Sequence, residues 1–289
     1  MSFKIVTYNV NSIRSRLDAL SQLIEEEKPD VIALQETKVT DDKFPVDFFE
    51  ERKYQIAFRG EKSYNGVALI SKFPIEDVHV GMDGWENPGE ARLIAGTIQG
   101  IRIVNSYVPQ GREVNTEPWI YKLGWLKEMR NYWNRYGNPE QPWIWLGDLN
   151  VAPGDHDVHN PVRLNGAVGF HPEERKIMTD LMAWGWEDVF RKYRTGPDEF
   201  TFWDYRAIGG LEKNLGWRID HIWATHSLAE CSVDSYVLRQ YRGYERPSDH
   251  APLVAVFDWP RAGVKSMVSL KNLLIENEQK EEQASLFGE

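Results

Sequence analysis

Short runs of apolar, β-branched and aromatic residues, each bounded by turn formers, recur along the chain and constrain its fold more than any other feature. They are "KIVTYNV", "DVIALQE", "YQIAFRG", "GVALIS", "LIAGTI", "IRIVNSYV", "WIWLGD", "WRIDHIWAT" and "PLVAVFDW". Runs of this length and composition predict strands. Helical spacing occurs between some of them: residues 15–28 carry Leu17, Leu20, Leu23 and Ile24 on one face, and Trp119, Leu123, Leu126 and Met129 follow the same period. "HPEERKIMTDLMAWGW" predicts a third helix, with Glu173 and Glu174 in the first turn, where the helix dipole favours acids. Many strands with fewer helices between them imply an α/β fold of two packed sheets with helices outside.

The strand ends are unusual. Several close on a polar residue: Asn9 and Asn11 after "KIVTYNV", Glu36 after "VIALQ", Tyr107 after "RIVNS", Asp148 and Asn150 after "WIWLG", Asp220 in "WRID", and Asp249 and His250 in "PSDH". Taken singly, a strand-end Asn is a turn residue and an isolated acid is a solvated charge. Jointly they are different, because strand ends in layered α/β proteins converge on one edge. Residues two apart on a strand share a face, so Asp148 and Asn150 address one ligand if the strand continues through them. A carboxylate at the mouth of a core strand is costly unless it is solvated, hydrogen-bonded or bound to a cation. Several acceptors with few basic neighbours predict a hard-cation site.

Composition sets the outer limits. The chain has 289 residues, 42% apolar and 12% aromatic, enough for one large domain. A single cysteine, Cys231, excludes an internal disulfide and a cysteine-rich zinc site and points to a reducing compartment. The start "MSFKIVTYNV" lacks the pattern of a signal peptide, and no segment reaches the about 18 consecutive apolar residues of a membrane span, so a cytoplasmic, membrane-independent protein is expected. The formal charge of −10 argues against a polyanionic partner at first sight. A local basic rim with a bound divalent cation reverses the field at one face, so that argument does not exclude nucleic acid.

"YNVNSIRS", "LQETK", "YVPQGR", "GDLNVAPGDHDVHNP", "GWRIDHIWAT" and "PSDHAPL", in that order over about residues 3–259, resemble the exonuclease III branch of the endonuclease/exonuclease/phosphatase superfamily. The resemblance implies a four-layer α/β sandwich, two central mixed or antiparallel sheets flanked by helices. It also implies Mg²⁺- or Mn²⁺-dependent hydrolysis of DNA phosphodiesters, especially 5′ to abasic sites, with 3′-exonuclease and 3′-phosphatase activity. On this resemblance Glu36 holds the metal with Asn9 or Asn11 nearby, and Asp249 contacts a second metal position or assists the leaving group. Asp148 activates or orients the attacking water, and Asn150 hydrogen-bonds the phosphate. His250, oriented by Asp220, stabilises charge on the phosphate oxygens, and Tyr107 lies against the phosphate or leaving oxygen. Which of Asp148 and His250 accepts the proton stays open at this level.

The same resemblance makes Phe202, Trp217 and Ile219 the walls of a pocket for an extruded abasic sugar, although in a chain with 12 Trp they also suit a core. Arg14, Lys38, Tyr64, Arg112 and Arg218 are candidate contacts to the DNA backbone. The rival readings are a phosphatase of small or lipid phosphates, and a catalytically silent binding homologue; the first lacks an identifiable membrane-binding aromatic loop, the second a lost catalytic residue. Residues 1–260 form the expected catalytic domain and 261–289 a tether. Near its end "QASLF" resembles the motif by which bacterial repair proteins dock on the sliding clamp, with Gln283 hydrogen-bonding and Leu286 and Phe287 filling an apolar cleft. The roughly twenty residues before it would, if flexible, span about 25 Å. Nothing in this chemistry needs a second chain, so a monomer is expected.

Overall fold

Segments that are apolar along much of their length tend to be buried on both faces and therefore become central strands. In the computed structural model, which describes residues 2–87 and 89–259, this is the fate of β1 (Ser2–Asn9), β2 (Val31–Gln35), β4 (Val67–Ser71), β6 (Leu93–Ile98), β7 (Ile101–Tyr107), β8 (Trp143–Asp148), β10 (Asp220–Thr225) and β12 (Leu253–Asp258). The remaining described strands are β3 (Gln55–Arg59), β5 (Glu76–Val80), β9 (Trp186–Asp188) and β11 (Ser232–Val237). They form two six-stranded sheets, ordered β11-β12-β1-β2-β4-β3 and β5-β6-β7-β8-β10-β9. Each sheet has one parallel pair at its centre, β1 with β2 and β7 with β8, and antiparallel neighbours outside.

Three apolar layers separate four structural ones. Ile5, Ala33, Leu69, Ile103, Ile144 and Ile222 fill the space between the sheets. Val6, Tyr8, Ile32 and Leu34 face the other way, against Leu20 and Leu23 of the helix Leu17–Glu27. Trp143, Trp145 and Trp223 lie under the helices Glu117–Tyr136 and Pro172–Met182, packing on Leu126, Met129 and Met178. The result is the expected four-layer sandwich.

Period-two alternation then dictates which strand-end residues point inward. Ile5, Thr7 and Asn9 share one face of β1; Ile103, Asn105 and Tyr107 share one of β7; Ile144, Leu146 and Asp148 share one of β8; Asp220, Ile222 and Ala224 share one of β10. Because the apolar members fill the inter-sheet layer, the polar ends cluster at its rim. Register reinforces this: Tyr107 and Asp220 are both direct cross-strand partners of Asp148. One step deeper, the fully buried Gln35 donates to Thr7 Oγ1 (2.9 Å) and Asn105 Oδ1 (2.7 Å), and Asn105 donates to the carbonyls of Leu34 and Ala68, linking the sheets through buried polar side chains.

Strands β5, β9 and β11 were not expected from sequence. Each is at a sheet edge, where one side needs no burial; "EDVHV" alternates exposed and half-buried residues and carries two acids. Strand β10 starts at Asp220 rather than at Trp217, which instead bridges Val158 and Phe202. No described helix is long and apolar enough to cross a membrane. The expected tether, residues 261–289 with Gln283, Leu286 and Phe287, lies outside the described residues.

Candidate active site

The rim of the inter-sheet layer opens into a cavity of about 500 Å³ lined by Glu36, Tyr107, Asp148, Asn150, Asp249 and His250 together with Phe202, Trp217 and Ile219. Residues from distant parts of the chain thus meet where β1, β2, β7 and β8 end and where β10 and β12 begin.

His250 is buried, with Nδ1 2.7 Å from Asp220 Oδ2 and Nε2 3.7 Å from Asp148 Oδ2. Burial disfavours its charge, but Asp220 and Asp148 outweigh burial and raise its pKa to about 10. The imidazolium therefore donates Nδ1–H to Asp220 and aims Nε2–H toward Asp148. Asp148 is pushed up to about 7, chiefly by burial, with Asp220 and Glu36 adding repulsion and His250 opposing it. Asp148, Asp220 and His250 bring ligand atoms within 4.8 Å of one another, a group able to hold a metal ion. Among buried side-chain atoms Asp220 Oδ1 has no hydrogen-bond partner.

Asn9 donates its amide to both Glu36 Oε1 (2.8 Å) and Asp148 Oδ2 (2.9 Å). Its Oδ1 accepts the Asn11 N–H at 3.0 Å, which settles the amide orientation. Asn9 is thus a bridge between two acids, adjacent to Glu36 as expected of a residue near the metal-holding carboxylate. Asn11 links outward, donating to Asp249 Oδ1 (2.9 Å) and accepting from Lys38 Nζ (2.6 Å). Lys38 also pairs with Glu36 Oε2 at 2.6 Å, and although burial opposes the Glu36 carboxylate, Lys38 holds it below its ordinary range. Tyr107 is raised well above 10, first by burial and then by Glu36 and Asp148, so it is a neutral hydroxyl that can donate.

Asn150 reaches the cavity by a different route from the one expected. The strand ends at Asp148, and Asn150 adopts a left-handed backbone (φ 51°) whose N–H donates to Asp148 Oδ1 (3.0 Å) while its side chain donates to the Val108 carbonyl (2.9 Å). A turn, not strand alternation, brings the two side chains to one cavity. Phe202 packs on the His250 ring with centroids 4.9 Å apart, Trp217 is half-buried, and Ile219 sits with Ala152, Val158 and Phe170. The three therefore form a wall of the same cavity.

The expected basic contacts separate. Lys38, Tyr64 and Arg112 line an adjoining cleft of about 440 Å³ that shares Glu36, Tyr107 and Arg112 with the main cavity. Arg14 is exposed in a different cleft, beside Tyr244 and Arg246. Arg218 does not reach solvent: it is 1% exposed and binds Asp157 (2.6 Å) and Asp188 (2.7 Å), so its role as a DNA contact is corrected to that of a core ion pair. Residues that sequence reasoning missed also line the cavity, among them Gln110, Val168, Gly169 and Arg206. They lie in loops, where no periodic signal marks them.

Residues 6–250 match the endonuclease/exonuclease/phosphatase family. The chain is 34% identical over 266 residues to exodeoxyribonuclease III of Haemophilus influenzae, covering 88% of this chain and 99% of that protein. Its structure resembles an AP endonuclease from Archaeoglobus fulgidus, 45% identical with a TM-score of 0.86 over 89% of this chain and 99% of that one. It also resembles a 3′ phosphatase from Neisseria bound to a product DNA hairpin, at 33% identity and a TM-score of 0.84 over 89% and 100% of the two chains. With its fold, its strand-end constellation and these relatives in agreement, the chain belongs to the endonuclease/exonuclease/phosphatase family of nuclease hydrolases.

Proposed function

We propose that this chain hydrolyses DNA phosphodiester bonds 5′ to abasic sites, with 3′-exonuclease and 3′-phosphatase activity, using Mg²⁺ or Mn²⁺. The observation that carries the reading is the shared cavity: the polar side chains Glu36, Tyr107, Asp148, Asn150, Asp249 and His250 and the apolar Phe202, Trp217 and Ile219 line it together. A sugar without a base is cheap to extrude and fits such a wall, whereas an intact nucleotide brings a base that the space must also hold.

The donor set fits a hard cation. Glu36, Asp148, Asp220 and Asp249 outnumber Lys38 and His250, and a site that must also receive a phosphate needs further positive charge. Glu36 retains lone pairs beyond those facing Asn9 and Lys38, and with Asp249 would hold the ion. When bound, that ion supplies neutralisation of charge on the phosphate.

The protein's own groups account for the rest. Asp148 accepts a proton from the attacking water as the new O–P bond forms; the P–O3′ bond breaks, and the leaving oxygen takes a proton from the neutral Tyr107 side or from solvent. His250, already protonated, cannot serve as the base and instead donates to a phosphate oxygen, where charge accumulates. Asn150 offers its amide face to the same phosphate. Lys38, Tyr64, Arg112 and Arg14 are the backbone contacts in this reading.

The test is a duplex carrying one abasic analogue, incubated with Mg²⁺ with and without chelator. Scission 5′ to the lesion, abolished by chelation, is expected; hydrolysis of inositol phosphates in its place would overturn the substrate. Trp217→Ala should lower abasic incision about tenfold more than digestion of an undamaged 3′ end. We also read Gln283, Leu286 and Phe287 as a sliding-clamp motif, supported by an apolar pair in a Glu- and Lys-rich tail. Replacing Leu286 and Phe287 with Ala should leave oligonucleotide incision unchanged and abolish binding to a bacterial clamp.

A further inference from the structure

Lys122 lies on the apolar face of the helix Glu117–Tyr136, and it is wholly buried, as is Glu174 in the first turn of the helix Pro172–Met182. Their side chains form an ion pair. A buried charge pair is rarely the cheapest way to hold a fold together, since an apolar pair of similar volume often serves as well. Its bonds suggest another reason for its presence. Besides pairing with Glu174, Lys122 Nζ donates to the Asn150 carbonyl (2.7 Å) and the Gln110 carbonyl (3.2 Å). The other Glu174 oxygen accepts the N–H groups of Gly169 (2.7 Å) and His171 (3.1 Å).

Three loops thereby hang from one ion pair. The first follows Tyr107 and carries Gln110 and Arg112; the second is the turn from Asp148 to Asn150; the third contains Val168 and Gly169. All three line the cavity. The loops also depend on one another, since the Gly169 carbonyl accepts from Ala152 N (2.7 Å). The seat is tight: a Cβ on Gly111, whose φ is +90°, would lie 2.9 Å from Lys122 Cδ. Of these anchors the Asn150 carbonyl matters most. The same residue holds Asp148 Oδ1 through its N–H, so a shift of that turn displaces both the Asn150 amide and the Asp148 carboxylate.

We propose that Lys122 and Glu174 are a positioning pair for phosphodiester hydrolysis, holding the Asp148–Asn150 turn and two neighbouring loops in the reactive arrangement from below the cavity. The proposal rests on the reading of this cavity as the hydrolytic site. A displacement of about 1 Å in such a group costs up to about 10²-fold in rate.

The test is Lys122→Met/Glu174→Gln, in which the Met stem fills the lysine's space and the Gln oxygen still accepts from the loop at residue 169. It is assayed in the full chain at saturating Mg²⁺, on abasic duplex and on undamaged 3′ ends, alongside its melting temperature. Expected is a fall of about 10–100-fold in kcat on both substrates with KM within about twofold. Wild-type kcat per folded molecule, whatever the melting temperature, would make the pair purely structural and overturn the proposal, as would a rise in KM at constant kcat. Should the double variant fail to fold, Glu174→Gln alone decides: a several-fold loss of kcat at constant KM supports the proposal, and unchanged kcat overturns it. A wild-type enzyme that digests 3′ ends and leaves abasic duplex intact would refute the substrate reading, while the kcat ratio on 3′ ends would still decide the role of the pair.

Discussion

Two clusters of buried charge, which touch in sequence at Arg218 and Asp220, behave in opposite ways. In one, Asp148, Asp220 and His250 open onto the cavity with more carboxylates than cations, and Asp148 is driven up toward neutral pH. In the other, Asp157 and Asp188 are bound by Arg218, with Arg191 adding a second guanidinium to Asp157. There burial is overcome by Arg218 and Arg191, which hold the Asp157 carboxyl well below its usual range. The second cluster clamps the segment around Asp157 to that around Arg218, directly beside the pocket residues Trp217 and Ile219. A matched, closed cluster is structure, and an unmatched cluster facing a cavity stores the electrostatic imbalance that chemistry uses.

If that contrast is right, the two clusters should fail differently. The largest effect is expected at the open one: Asp148→Asn and His250→Ala should each lower turnover by about 10²–10⁴-fold while leaving DNA affinity nearly intact. Parallel loss of binding and turnover, from single-turnover kinetics and gel shifts, would place these residues in substrate binding instead. At the closed cluster, Arg218→Met should cost about 3–5 kcal/mol of stability in urea denaturation, because it strips Asp188 of its ion-pair partner and leaves Asp157 with Arg191 alone. A stable Arg218 variant with weak DNA binding would restore its assignment as a backbone contact.

A pH measurement sharpens the contrast further. His221, fully buried beside Arg218, has its pKa lowered to about 4, first by burial and then by the Arg218 charge; its ring Nε2 lies 2.8 Å from the Val151 carbonyl. Its folded pKa lies below the unfolded value, so the unfolded state binds more protons between about 4 and 6.5 and stability falls as pH drops through that window, by up to about 3 kcal/mol. Denaturation curves from pH 7 to pH 4 should show this slope, and its absence from wild type would mean that His221 is charged in the fold. The smallest effect is expected for Glu36→Gln, which should raise the Mg²⁺ concentration for half-maximal activity about tenfold. An unchanged metal titration would remove Glu36 from the metal site.

Much of this was legible in the chain. Strand segments and the polar residues that close them are local features, and a period of two carries Tyr107, Asp148 and Asp220 to the inner faces without any knowledge of their partners. Even the buried pair left a trace: Lys122 interrupts an apolar helical stripe, although Glu174 reads simply as a first-turn acid. Edge strands such as Glu76–Val80 were not legible, since half-exposed segments lack the apolar signal. Tertiary structure alone decided that Arg218 is a core ion pair, that Asn9 bridges two carboxylates, and that Asn150 arrives by a turn. The physical reason is that periodicity is set by neighbours a few residues apart, whereas the state of a charge depends on which distant groups share its desolvated space. Arg218 and Asp157 are 61 positions apart, and Asn9 and Asp148 are 139 apart, so only the packed sheets could say which charges were matched and which were left facing the cavity.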